Sequence, residues 1–455
     1  MRILHFSLGL PPYRSGGLTK YVTDLMVSQS ESGDEVSLLY PGDYTFWRVP
    51  KVKIIKDQNY NGILVYKIEN PIIVPLRHGV KNPLSITYPK YRLTLKDLEI
   101  FYDQIRPDLM HVHTLMGLPE ELLNYLKYKG VKILFTTHDY YGLCLKVNFI
   151  DQKGLLCDLS DKEKCAICNR NSPDQLFLRL RNSKYLLKYK KRLACNARKL
   201  EEPKTNLHEE IIPTQKKIEE YGSLLSHYNR LFEQIDFFHF NSNVTKECYE
   251  KHLTPKKSNI LPISNANISD NRKIRSINKS LIRIGYIGSM ATYKGYPLLK
   301  SVLNFLNKKG INNWILQIWG GKLGKEPLCE FIEFKGEFTS SELERVFDQI
   351  DLLIVPSIWK ETFSFITLEA LSFGLPVLVS ENVGAKDIVE TYDPFFVFQQ
   401  SKEELQLKLE AILGDPTLIE NFNNKICQGS FDYSLKGHVL KLKELYINTI
   451  NGKNI

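Results

Sequence analysis

The chain has no run of eighteen or more apolar residues, so no stretch is expected to cross a bilayer as a helix. Its first residues, MRILHFSLGLPPYRSGG, hold only a short apolar run broken by His5 and Ser7. That start fits a first strand and a glycine loop and lacks the form of a secretion signal. Cysteine is sparse, eight in 455 residues, which argues against a disulfide framework in so long a chain. Repeats and low-complexity tracts are missing as well. These absences predict a cytoplasmic protein. What is present is ordinary for a globular chain, 43% hydrophobic and 25% charged. The length exceeds what one core fills and suits two or three domains.

The net charge of +10 is concentrated. Residues 170–199 hold ten Lys or Arg against one acid, Asp174. Arg179, Arg181, Lys184, Lys188, Lys191 and Arg192 interleave with Leu176, Phe177, Leu180, Tyr185, Leu186 and Leu187. That mixture is expected of a helix lying on an anionic membrane surface, peripheral at the inner face of the plasma membrane. No nucleic-acid recognition motif accompanies it, and nucleic acid is not an expected partner.

Apolar runs alternate with helix-like stretches along most of the chain. The first set is RILHFS, Glu35–Tyr40, Leu64–Ile68, Leu109–His113, Lys132–His138 and Phe237–Phe240. The second is Leu281–Gly288, Trp314–Gly320, Asp351–Ser357 and Pro376–Ser380. Strands alternating with helices imply parallel, doubly wound sheets. The fold class expected is α/β, with two Rossmann-like domains facing a cleft. The boundaries expected are 1–265 for the first domain, 281–430 for the second and 431–455 for a terminal helix. The polar stretch Ser264–Ser280 is the expected linker. Residues 144–231 show no strand-like alternation and read as an insertion in the first domain.

The stretch carrying most chemical information is Glu361-Thr-Phe-Ser-Phe-Ile-Thr-Leu-Glu369. It follows one apolar run and precedes another, so it reads as a loop at the carboxyl end of a strand that opens a helix. Ligands of open α/β sheets bind at such places. The helix start favours a phosphate, and a carboxylate on either side accepts bonds from hydroxyls. A phosphate between two hydroxyl-bearing ends describes a nucleotide sugar. Three further groups fall at comparable places. Gly16-Gly17 follows the first strand and allows close backbone approach. His138, with Asp139, ends a strand. Ser289 and Lys294 lie in a strand-to-helix loop, where a lysine can neutralise a diphosphate. His111 and His113, inside a strand, are expected to serve packing and hydrogen bonding. Cys144, Cys157, Cys165 and Cys168 include one Cys-x2-Cys pair, half of a usual tetrahedral site, and are expected to hold a structural zinc. Cys195, Cys248, Cys329 and Cys427 are scattered.

Taken together, GGLTKYV, Arg106–His113, Thr136–Tyr141, YIGSMATYKG and Asp351–Ser380 resemble the retaining glycosyltransferases of family 4, with the two-domain GT-B fold. The resemblance covers both domains in order. It implies Glu361 beside the donor sugar and His138 at the reacting centre. It implies Thr362, Phe363, Ser364, Phe365 and Ile366 around the sugar and diphosphate, Lys294 on the diphosphate and Glu369 on the ribose. Lys335 and Gly336 would border the base, and the C-terminal helix would cross back onto the first domain. The donor implied is a UDP- or GDP-sugar, the acceptor a glycan on a lipid, with no catalytic metal. Ser289 stands where the family often has arginine, and Ser364 where it often has glycine. An inactive transferase-like binding subunit and a GT-B nucleotide-sugar epimerase remain alternative readings.

Overall fold

The computed structural model describes residues 1–46, 49–157, 161–183, 213–320 and 330–452. Eight strands form the first sheet: β1 (Arg2–Phe6), β2 (Glu35–Pro41), β3 (Lys53–Lys56), β4 (Leu64–Glu69), β5 (Leu109–Val112), β6 (Lys132–Thr136), β7 (Phe237–Phe240) and β8 (Ser258–Ile260). Their order is β3-β4-β2-β1-β5-β6-β7-β8. All neighbours are parallel except β3 and β4. Six strands form the second sheet: β9 (Ile282–Ile287), β10 (Trp314–Trp319), β11 (Ile332–Gly336), β12 (Leu352–Val355), β13 (Val377–Ser380) and β14 (Val397–Phe398). Their order is β11-β10-β9-β12-β13-β14, and every pair is parallel. The chain order reverses beside β1 in one sheet and beside β9 in the other. Such switch points open crevices at the strands' carboxyl ends.

The central strands are buried on both faces, as parallel sheets covered by helices require. In β1 only Arg2 is exposed. Four strands were not evident in the sequence: β3, β8, β11 and β14. All four are sheet edges. Helix α1 (Gly17–Glu31) covers the first sheet, α2 (Phe365–Ser372) lies between β12 and β13, and α3 (Leu435–Asn451) is the last helix. Although it lies in the chain after the second sheet, α3 packs on the first. Tyr446 Oη meets His111 Nδ1 at 2.7 Å, and Lys443 Nζ lies 2.9 Å from Asp34 Oδ1.

The expected linker is irregular but packed. Ile268 and Ile277 are buried, and the Arg275 main chain donates to Asn423 Oδ1 at 2.9 Å. In the expected insertion, helices run over Lys162–Asn169, Gln175–Asn182 and Gln215–Glu233. Of the basic segment, residues 184–199 lie outside the described residues.

Candidate active site

The loop after β12 is held from three sides. The Glu361 main chain donates to Asn382 O and its carbonyl accepts from Gly384 N, both at 2.8 Å. Phe363 O accepts from Ala385 N at 2.7 Å. Across the cleft, Thr362 Oγ1 donates to His138 O at 3.1 Å, and Ser242 Oγ donates to Thr362 O at 2.7 Å. Gly384 is required here, because a Cβ on it would meet Thr362 O at 2.1 Å. One loop of the second domain is thus bonded to the strand ends of the first.

Within this frame the Glu361 carboxylate is engaged at both oxygens. Lys294 Nζ donates to Oε1 at 2.8 Å and Ser357 Oγ to Oε2 at 2.7 Å. The lysine also lies 5.2 Å over the Trp359 ring. Its own loop is a tight 3-10 turn closed by Gly295 at φ 78°, where a Cβ would lie 1.7 Å from Pro356 O. Beside it, Arg77 of the first domain donates to Tyr293 Oη. Ser289 is exposed, and its carbonyl accepts from Tyr286 Oη at 2.6 Å.

Ser364, the residue before α2, has φ 90°. That is a region that side-chain-bearing residues rarely adopt and glycine enters freely. The main-chain N–H groups of Phe365, Ile366 and Thr367 lie in the first helical turn, where no intrahelical acceptor exists. The Gly17 side of α1 faces this start: a Cβ on Gly17 would lie 3.4 Å from the Phe365 ring. Gly16 precedes it at φ 108°. Phe363 is buried and meets Phe365 edge to face at 5.6 Å. The Gly16-Gly17 loop, the Ser364 loop and the two helix starts therefore converge.

Glu369 lies a turn further into α2 and is 9% exposed. Burial pushes its carboxyl up to about 7, opposed by a bond from Asn265 Nδ2 at 3.4 Å and by the charge of Lys20. His138, half-buried, has its ring 4.7 Å from Tyr21, and burial lowers it to about 3, so it is neutral. Asp139 is a turn residue. Its carboxylate accepts from Tyr141 N at 2.8 Å and Thr114 Oγ1 at 3.3 Å. Gly336 ends β11 at φ 84°, its carbonyl accepting from Gly320 N at 2.8 Å, while Lys335 Nζ pairs with Glu333 Oε2 at 2.6 Å. These two sit at the far edge of the second sheet. Arg77, Ser242 and Asn265 carry no motif in the sequence; only the folded chain brings them to the site.

Cys144, Cys157, Cys165 and Cys168 line one cavity of about 340 Å³. No three of these sulfurs lie all within 4.8 Å of one another. Among the described residues, the one set of three metal-binding side chains with donor atoms all within 4.8 Å is His5, His111 and His113. Burial raises Cys144 to about 11 and raises Cys165 and Cys168, favouring the thiol form.

Residues 267–428 match the family described as glycosyl transferases group 1. No curated protein matches the chain. Among solved structures, a sucrose-phosphate synthase from Thermosynechococcus elongatus is 14% identical, covering 99% of each chain, with TM-score 0.52. Anabaena Alr3699/HepE in complex with UDP and glucose is 12% identical over 98% of this chain and 99% of its own, TM-score 0.54. WaaG, a glycosyltransferase involved in lipopolysaccharide biosynthesis, is 15% identical over 99% of this chain and all of its own, TM-score 0.54. The chain thus has the two-domain GT-B fold, and residues 267–428, which span most of the second sheet and its helices, are similar to the group 1 glycosyl transferases.

Proposed function

We propose that the protein is a retaining glycosyltransferase. It would move a sugar from a UDP- or GDP-sugar to a lipid-linked glycan in cell-surface polysaccharide synthesis. The observation that carries this reading is the convergence on one cleft of Lys294, paired with Glu361, and of His138, bonded through its carbonyl to Thr362. A cation, a carboxylate and an imidazole from two domains thus stand around the start of α2.

The roles follow from the chemistry. Lys294 and the first turn of α2 stabilise the leaving diphosphate electrostatically. Ser364, Phe365 and Ile366 present main chain to it, and Gly16-Gly17 leave the opposite wall open. Glu361, held by Lys294 and Ser357, accepts from sugar hydroxyls. Both its oxygens are already engaged, which suits recognition better than attack on the sugar. The acceptor would then enter on the leaving-group face, its proton passing to the diphosphate. Glu369 accepts from the ribose, and Lys335 and Gly336 border the base. No step calls for a metal.

Two outlying features complete the reading. Leu176, Phe177 and Leu180 are exposed on the helix that also carries Arg179 and Arg181, the composition of a membrane-docking face. The four cysteines of the insertion would hold a structural zinc. Its support is that all four line one cavity, although the sulfurs must draw together to ligate.

The test is incubation with UDP-, GDP- and ADP-sugars, following released nucleotide and the configuration of the product. Release with retained configuration is expected. Donor binding without turnover would point to an inactive binding subunit, and an isomerised donor to an epimerase.

A further inference from the structure

Nine polar groups beneath the cleft form one continuous chain of hydrogen bonds. His239 Nε2 meets Leu261 O at 2.7 Å, and His239 Nδ1 meets Thr136 Oγ1 at 2.8 Å. Thr136 Oγ1 meets His111 Nε2 at 2.6 Å, and His111 Nδ1 meets Tyr446 Oη at 2.7 Å. Tyr446 Oη accepts from Gln29 Nε2 at 3.0 Å, and Gln29 Oε1 meets His5 Nε2 at 2.8 Å. His5 Nδ1 meets His113 Nε2 at 2.9 Å, and His113 Nδ1 meets His138 Nε2 at 3.2 Å. His5, His111, His113, Thr136 and His239 are fully buried. The register explains the row: His5 pairs with His111 across β1 and β5, and Thr136 with His239 across β6 and β7.

The direction of every bond follows from one end. A carbonyl oxygen only accepts, so His239 must carry its proton on Nε2. Its Nδ1 is then an acceptor, and Thr136 donates to it. The single Thr136 proton is spent there, so His111 donates from Nε2 and accepts at Nδ1 from Tyr446. Tyr446 in turn accepts from the Gln29 amide, whose oxygen accepts from His5 Nε2. His5 Nδ1 accepts from His113 Nε2, and His113 Nδ1 accepts from His138 Nε2. A flipped Gln29 would reverse the series and leave His239 Nε2 facing Leu261 O without a proton. The same bonds occupy all six ring nitrogens of His5, His111 and His113, which leaves no lone pair free for a metal there.

We infer that this relay fixes His138 as the neutral Nε2–H tautomer, so that it meets the reacting sugar through the Nδ1 lone pair, as an acceptor and not as an acid. Thr136, Gln29 and Tyr446 are positioning residues acting through it. This inference rests on the site reading above, which places the sugar beside His138. His138 Nδ1 has no hydrogen-bond partner within the protein among the described residues. Burial keeps the series uncharged: His5 and His239 fall to about 4, and His111 and His113 well below the usual range.

The test is two-bond proton–nitrogen NMR of the full-length protein labelled with 15N-histidine, near pH 7, with His138 assigned by His138→Gln. A neutral ring protonated at Nε2 is expected for His138. Protonation at Nδ1, or a cationic ring, overturns the inference whether or not the protein turns over a sugar. Thr136→Val and Tyr446→Phe each interrupt the chain away from the cleft. Each is expected to give His138 a mixture of tautomers and to lower kcat about ten-fold, with UDP or GDP affinity unchanged, and Thr136→Ser is expected to restore both. An unaltered His138 spectrum in a folded Thr136→Val or Tyr446→Phe protein would show that no relay sets the tautomer.

Discussion

Lys294 Nζ lies 2.8 Å from Glu361 Oε1, so the cation expected to meet the diphosphate is already neutralised by the carboxylate expected to meet the sugar. The two substitutions must therefore act in opposite senses on nucleotide binding. Lys294→Ala should weaken UDP or GDP binding by about 1–3 kcal/mol, the worth of a charge-assisted hydrogen bond. Glu361→Gln should leave the nucleotide bound as tightly or more so, while turnover falls at least about ten-fold. Calorimetry with the bare nucleotide beside a turnover assay separates the two. Equal weakening by both variants would mean that the pair, and not the lysine, is the binding element.

Glu369 makes donor binding pH-dependent. Its carboxyl titrates near 7 because it is buried, and only the ionised form accepts two bonds from a ribose. Affinity should rise about ten-fold between pH 6 and pH 8, with a proton released on binding near pH 6.5. Glu369→Gln should abolish both effects. The same raised value lowers stability as pH climbs from the unfolded carboxyl's range to about 7, because the unfolded chain gives up its proton first. Glu369→Gln should therefore raise Tm at pH 8 and leave it little changed at pH 4.

Two glycines of the site should behave differently when given a methyl group. Gly295→Ala places a Cβ 1.7 Å from a carbonyl oxygen at φ 78°, and should destabilise the fold by about 3 kcal/mol or more. Gly17→Ala meets only an ordinary 3.4 Å contact at the first turn of a helix. Its Tm should hold or rise slightly, while nucleotide affinity drops through crowding of the α2 start. Unchanged affinity in Gly17→Ala would remove α1 from the donor site.

For the insertion, elemental analysis should find about one zinc per chain, and Cys165→Ser or chelation should loosen residues near the cavity without unfolding the second sheet. A metal-free protein with four thiols titrating under native conditions would leave the cysteines as plain buried thiols.

Docking should show as sedimentation with anionic but not neutral vesicles, weakening with salt as screening requires. Replacing Leu176, Phe177 and Leu180 by Ser should abolish it. Equal binding to both vesicle types would exclude the basic segment as anchor.

The central strands were legible because both their faces are apolar, which writes a continuous run into the sequence. β3, β8, β11 and β14 were not. Edge strands pair on one side only, and runs such as Lys53–Lys56 and Ser258–Ile260 carry polar residues that suit an edge. The Glu361–Glu369 loop stood out because its flanking strands are central and its chemistry is local in sequence. Asn265, Ser242 and Arg77 were silent. Each reaches the cleft through contacts of more than a hundred residues' separation, which spacing does not encode. The stretch holding Asn265 looked like a linker because its two buried isoleucines, Ile268 and Ile277, are too far apart to set a period.

The packing of α3 on the first sheet also orders the history of the chain. His438, Leu442, Leu445 and Tyr446 complete a buried layer whose other half is β1, β5 and α1. On the ribosome, residues 1–260 emerge with that layer open and with His111 and Gln29 lacking the hydroxyl that joins them. The buried layer over β1 and β5 is therefore complete only once α3, which follows the second sheet in the chain, lies on it. Domains usually fold as units, in the order they are made; here one layer of the first sheet is shared with a helix that lies beyond the second sheet in the chain.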